Sequence, residues 1–176
     1  MSALSIRPAT PADIPAIAAI YGDAVRNGTA SWELDPPDEA EMLRRHEAIL
    51  AGGYPYLVAE RDGRLLGYAY ASAYRPRPAY RSTVENSIYI APEAQGVGTG
   101  GALLSALIEA CTARGFRQMI AVIGDGTGAS IGSRRLHERA GFRLIGVAEK
   151  VGFKHGRWLD QMLMQKDLGE GSATPP

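Results

Sequence analysis

One stretch limits what this chain can become. From Ser87 to Leu104 an apolar, strand-like run breaks at Ala91-Pro92, crosses a turn holding Gly96, Gly98, Gly100 and Gly101, and enters a helix. Leu103, Leu104, Leu107, Ile108 and Cys111 recur at helical spacing, and Arg114-Gly115 supplies the stop. A helix that begins on glycines presents backbone N–H groups without partners at the positive end of its dipole. The missing side chains let an anion come close. The stretch therefore predicts a strand–turn–helix unit with a seat for a phosphate or pyrophosphate.

Three phosphate-binding patterns compete for the turn. A Walker A loop needs Gly-Lys-Ser/Thr at its end, and no Lys stands there. A dinucleotide fingerprint needs G-x-G-x-x-G straight after a strand. Gly96, Gly98 and Gly101 have that spacing, and Asp125 stands where a ribose-binding acid belongs. Against it, residues 92–95 separate the strand from the glycines, and the unit lies mid-chain rather than opening a βαβ series. The third pattern, Gln/Arg-x-x-Gly-x-Gly/Ala, is met by Gln95, Gly98 and Gly100. It resembles the coenzyme A pyrophosphate loop of the GNAT N-acetyltransferases, where a spacer after the strand is expected.

Composition narrows the partners. Lys+Arg and Asp+Glu both count 19 in 176 residues, so neither nucleic acid nor an anionic membrane is favoured. No apolar run reaches membrane-spanning length. The single cysteine excludes an internal disulfide framework and fits a reducing cytoplasm. Cys111 falls on the apolar helical stripe and reads as core. Nothing suggests a metal site, and His46 reads as a half-buried helix histidine.

In order, the chain reads as strand (from Leu4), two helices, three strands, helix, strand, helix and two strands. Thr10, Pro11 and Asp13 start the first helix, and Asp38 caps the second. Asp62-Gly63 centres a hairpin. Runs of antiparallel strands around βα units predict an α+β fold with helices on both faces of one sheet. Residues 1–168 read as a single domain and 169–176 as a disordered tail.

This order, with the 95–101 loop, resembles the GNAT fold, a mixed, mostly antiparallel sheet of about seven strands. Four further motifs narrow the resemblance to the phosphinothricin and methionine sulfoximine N-acetyltransferases. They are Thr83-Val84-Glu85-Asn86-Ser87-Ile88-Tyr89-Ile90, Ala121-Val122-Ile123-Gly124-Asp125, Leu136-His137-Glu138-Arg139-Ala140-Gly141-Phe142, and Gly152 to Asp160. The chain departs from the pattern near the fourth helix. Thr127 to Ile131 replaces the family's Asn-Ala-Ala-Ser-Ile, and Ser133-Arg134-Arg135 is extra. Either Thr127 and Ser130 take the family's Asn and Ser roles, or Ser130 and Ser133 do.

The resemblance implies acetyl-CoA as co-substrate, bound where central strands splay. Gln95, Gly96, Val97, Gly98, Thr99, Gly100 and Gly101 would hold its pyrophosphate, and Ile88, Tyr89 and Ile90 its pantetheine, with Thr127, Ser130 or Ser133. Glu85, an ionisable group in an otherwise apolar strand, is the candidate general base. A backbone N–H near Tyr89 or Ile90 would meet the oxyanion. The resemblance implies His137 as donor to the leaving thiolate, with Tyr89 second. Arg75 and Arg77 flank Pro76 as a stiff basic connector suited to gripping an acidic acceptor. The implied acceptor site is Arg75, Pro76, Arg77 and Glu85 to Ser87, with Trp32 and Lys154 as walls. The expected activity is acetylation of the α-amine of phosphinothricin, methionine sulfoximine or methionine sulfone, in a homodimer. A different amine acceptor and a non-catalytic acyl-CoA-binding domain are the alternatives.

Overall fold

The computed structural model describes residues 3–125 and 130–176. In chain order these residues form β1 (Ser5–Pro8), α1 (Ile14–Asn27), α2 (Glu39–Ala51), β2 (Tyr56–Arg61), β3 (Arg64–Ala73) and β4 (Thr83–Ile90). There follow α3 (Thr99–Ala113), β5 (Gln118–Gly124), α4 (Ile131–Arg139), β6 (Arg143–Lys154) and β7 (Arg157–Asp167). Short 3₁₀ turns stand at Pro11–Asp13, Pro78–Tyr80 and Pro92–Ala94. No helix among the described residues is long and apolar enough to cross a membrane.

Local chemistry explains the boundaries. Asp13 Oδ2 accepts from the backbone N–H and the hydroxyl of Thr10, closing a capping box ahead of α1. Asp38 Oδ1 accepts from the Glu41 N–H at 2.7 Å and fixes the start of α2. Asp62 and Gly63 join β2 to β3 with φ of 53° and 73°, and both signs are those of a type I′ turn. His155 and Gly156 repeat the device between β6 and β7.

The strands form one sheet in the order β1-β2-β3-β4-β5-β7-β6. Every pairing is antiparallel except β4 with β5. The α+β sheet expected from the sequence is therefore present, with a single parallel junction. Because side chains alternate across a strand, β3 sends Tyr68 to one face and Ala69 and Ala71 to the other. On the Tyr68 face, Ile17, Tyr21 and Val25 of α1 and Met42 of α2 complete one core. On the other, Leu103, Leu104, Leu107 and Cys111 of α3 pack fully buried on Val84, Met119 and Ala121. Each of those leucines contributes about 1.5–3 kcal/mol by leaving water.

The parallel junction creates the opening that matters. Pairing runs from Thr83 opposite Gln118 to Asn86 opposite Ala121, and then stops. Beyond it β4 stays with β3 as far as Ile90 opposite Gly67, while β5 stays with β7 as far as Gly124 opposite Gln161. The two strands part, and a gap opens in the sheet.

The C-terminal stretch, read from sequence as disordered, makes turns in the structure. The Gly171 and Ala173 N–H groups donate to the carbonyls of Leu168 and Glu170. Arg117 reaches Glu170 at 3.3 Å and the Thr174 hydroxyl at 3.0 Å.

Candidate functional site

The candidate site has two parts, a glycine turn that follows β4 and a cavity at the gap, and neither Ile90 nor the turn is in the cavity lining. The first is the glycine turn. Gln95 is extended and its Nε2 donates back to the Ile90 carbonyl at 3.3 Å. Gly96 and Gly98 have φ of 75° and 93°, a region that side chains disfavour, and Gly98 is the N-cap of α3. No side chain caps that end, so the first amides of α3 face outward without a local acceptor. A Cβ placed on Gly96, Gly98 or Gly101 would meet nothing within 4 Å, which leaves room for a bulky anion. The buried Thr99 hydroxyl beside them has no hydrogen-bond partner among the described residues. This is chemistry suited to a pyrophosphate.

The second part is a cavity of about 370 Å³ where β4 and β5 separate. Glu85, Asn86, Ser87, Ile88 and Tyr89 line it from β4, and Val122, Ile123 and Gly124 from β5. Ser130, Ser133 and His137 close one side. Tyr21 of α1 and Ser31, Trp32 and Glu33 of the following loop close the other, with Gln161 of β7. Because the gap pierces the sheet, residues on both faces of β4 reach one space.

Two carboxylates line the cavity and their environments push them apart. Burial raises the pKa of Glu85, and the Arg75 charge outside the cavity offsets part of that rise. Burial would also raise Glu33. However, Arg45 Nη1 at 2.6 Å and the Tyr21 hydroxyl at 2.8 Å hold Glu33 below the usual carboxylate value. Since the single Tyr21 proton goes to Glu33, the Ser31 hydroxyl is the donor in its 2.9 Å bond to Tyr21. Opposed shifts of this kind give the cavity one carboxylate chemically suited to take up a proton, Glu85, and one held as an anion, Glu33.

His137 is buried, with its ring edge-on to Phe142. Its Nδ1 lies 2.8 Å from the Ser133 carbonyl, which can only accept, so Nδ1 carries the proton. Burial lowers the imidazole pKa, so Nε2 presents a lone pair at neutral pH. Nε2 stands 3.1 Å from the Asn86 carboxamide oxygen, and Asn86 Nδ2 is buried with no partner among the described residues. Turning that amide so that its N–H meets Nε2 satisfies both groups. Tyr89, edge-on to Tyr21 at 4.9 Å, is pushed well above the usual phenol range by burial and keeps its proton.

Of the residues singled out in the sequence, the cavity gathers Trp32, Glu85, Asn86, Ser87, Ile88, Tyr89, Ser130, Ser133 and His137. It does not gather Arg75, Pro76 and Arg77, which are exposed outside it, Arg75 lying over the Tyr74 ring. Lys154 is not in the lining either; it is buried behind it, with Nζ donating to the Ser31 carbonyl at 2.6 Å. Thr127 lies outside the described residues, and Ser130 bonds the Thr29 hydroxyl at 3.2 Å. Asp125, the acid of the dinucleotide pattern, forms an ion pair with Arg157 at 2.6 Å. Sequence reasoning missed Tyr21, Ser31, Glu33 and Gln161 as lining. Only Trp32 beside Glu33 in a short loop hinted at them.

A family model described as an acetyltransferase (GNAT) domain matches residues 6–163. The phosphinothricin N-acetyltransferase of Alcaligenes faecalis is 54% identical over 99% of this chain and 87% of its own length. An L-methionine sulfoximine/L-methionine sulfone acetyltransferase of Pseudomonas paraeruginosa is 46% identical over 97% of this chain and 98% of its own. Among solved structures, a phosphinothricin acetyltransferase from Sinorhizobium meliloti in complex with AcCoA superposes with a TM-score of 0.94. It is 55% identical and covers 98% of this chain and 92% of that one.

Proposed function

This chain belongs to the GNAT acetyltransferases, and from that premise we infer that it transfers the acetyl group of acetyl-CoA directly to the α-amine of a small, acidic, amino-acid-like acceptor, with Glu85 as general base. Phosphinothricin, methionine sulfoximine and methionine sulfone head the acceptor class, because relatives named for them match nearly the whole chain. The single observation that carries the reading is Glu85, held with a raised pKa in the cavity where β4 and β5 part.

Acetyl-CoA supplies an activated acetyl thioester, and its pyrophosphate is assigned to the amides of residues 96–101. Strand β4 beyond Asn86 is open toward β5, so the backbone of Ile88 to Ile90 can pair with an extended pantetheine arm. An N–H of Tyr89 or Ile90 meets the oxygen on which negative charge develops. Ahead of that, the acceptor arrives as an ammonium. Glu33 stays ionised and favours that charge, and Glu85 removes the proton, directly or through a water. Tyr89 and His137 are the two groups able to return a proton to the thiolate. Tyr89 holds one at neutral pH, whereas the His137 proton faces Ser133, so Tyr89 takes first place. Arg75, with Arg77, draws the acidic end of the acceptor toward the rim.

We assign residues 1–168 to one acetyltransferase domain acting as a homodimer. Val147, Val151 and Phe153 of the edge strand β6, with Trp158 of its neighbour β7, expose apolar surface, which suits a second copy. Light scattering reads that state, and a monomer at working concentration refutes it.

Thiol release from acetyl-CoA tests the activity across phosphinothricin, methionine sulfoximine, methionine sulfone, common amino acids, a polyamine and a short peptide. Turnover concentrated on the first three supports the reading. Activity on other amines alone moves the acceptor class, and silence with coenzyme A still bound favours a binding domain.

A further inference from the structure

The loop that forms the acceptor side of the cavity joins α1 to α2, yet residues far along the chain hold it. The Gly28 carbonyl accepts from His155 Nε2 at 3.1 Å, and the Ser31 carbonyl accepts from Lys154 Nζ at 2.6 Å. Trp32 lies in a slot between two glycines. A Cβ on Gly152 would stand 2.5 Å from its ring, and one on Gly124 would strike the indole nitrogen and the Thr29 carbonyl. Thus β5 and the β6–β7 hairpin together close on the loop from behind, while its front side faces the cavity.

We propose that Lys154 is a positioning residue for acceptor recognition, acting through Ser31 on the wall formed by Ser31, Tyr21 and Glu33. Lys154 is 4% exposed, and burying an ammonium is costly. What it adds over a methionine is a directed, charge-assisted bond to one peptide oxygen. That peptide carries the Ser31 hydroxyl, which donates to Tyr21, and Tyr21 in turn donates to Glu33 and meets the Tyr89 ring. Burial lowers the Lys154 pKa, and the Glu33 charge offsets only part of that fall. One buried bond thus sets the orientation of three groups that line the cavity. None of these contacts touches the glycine turn at the start of α3, so the proposed pyrophosphate seat is not among the groups that they orient.

The inference rests on the acetyltransferase reading and deepens it, and the test separates the two. Lys154→Met keeps length and burial and removes the bond. It is expected to raise the acceptor KM about tenfold, the scale of one buried charge-assisted hydrogen bond, with acetyl-CoA affinity unchanged. Lys154→Gln, which keeps an N–H donor on a shorter chain, falls between. Gly152→Ala pushes on Trp32 from the same hairpin and gives the same split if Lys154→Met does not fold. Acrylamide quenching of Trp32 in a Trp158→Phe background reports the loop directly and rises in both variants. An acceptor KM unchanged in Lys154→Met, or a loss shared equally by acceptor and acetyl-CoA, overturns the proposal. A wild-type protein that acetylates nothing refutes the acetyltransferase reading instead, and the quenching result then still decides whether Lys154 holds the loop.

Discussion

Asp13 ties three elements together at the entrance to α1. Its two oxygens take Arg7 Nη1 and Nη2 at 2.8 Å each, and Arg7 Nη2 also reaches Glu60 of β2 at 2.7 Å. The Arg7 hydrogen bond is the main reason that the Asp13 pKa falls from 3.8 to about 2. A depression of that size corresponds to a ceiling of about 2.5 kcal/mol of folding stability, at about 1.4 kcal/mol per pH unit. Arg7 is partly exposed, so solvent screening brings the expected value down to roughly 1–2 kcal/mol. The sign follows from the direction of the shift. The contribution is fully present above pH 3.8 and is lost as pH falls through about 2. Asp13→Asn keeps the size and an acceptor oxygen but removes the charge. Unfolding free energies from urea titrations of both proteins should differ by that amount at pH 7, and the gap should shrink to about half near pH 3. A gap that does not narrow with acid, or none at pH 7, would refute the assignment of the stability to this ion pair.

Two further expectations concern the site. Gly98→Ala forces a side chain into φ of 93° at the start of α3; it should weaken acetyl-CoA binding about tenfold by calorimetry, and unchanged affinity would remove the turn as the pyrophosphate seat. Burial pushes the Cys111 thiol up to about 12, so the native protein should not consume a thiol-reactive dye at pH 8 and should take up one equivalent on unfolding; rapid native labelling would show that the α3 core is open.

The fold was legible because its signals are local. Capping at Thr10 and Asp38, the Asp62-Gly63 turn, and the leucine stripe of α3 each occupy a short stretch of chain. The gap between β4 and β5 was legible only through resemblance, since strand parting leaves no pattern in either strand. The wall proposed for the acceptor was harder still. Tyr21 sits on the apolar stripe of α1 and reads as core, although its hydroxyl is what orients Glu33. Lys154 was placed as a pocket wall through the resemblance. Its burial against a carbonyl 123 residues earlier is a tertiary fact. Arg75 and Arg77 were placed by charge, and charge acts at a distance. The structure leaves Arg75 outside the cavity with its field still on Glu85.

The rate of acetyl transfer against pH, for the wild type and Glu85→Gln, tests the central claim most directly. Because burial raises the Glu85 pKa above 4.5, kcat/KM for the wild type should climb with pH along a limb set by that group. Glu85→Gln should lose the limb and fall by a factor on the order of 100–10,000, with acetyl-CoA affinity intact. A glutamine variant that keeps both the rate and the limb would contradict the account.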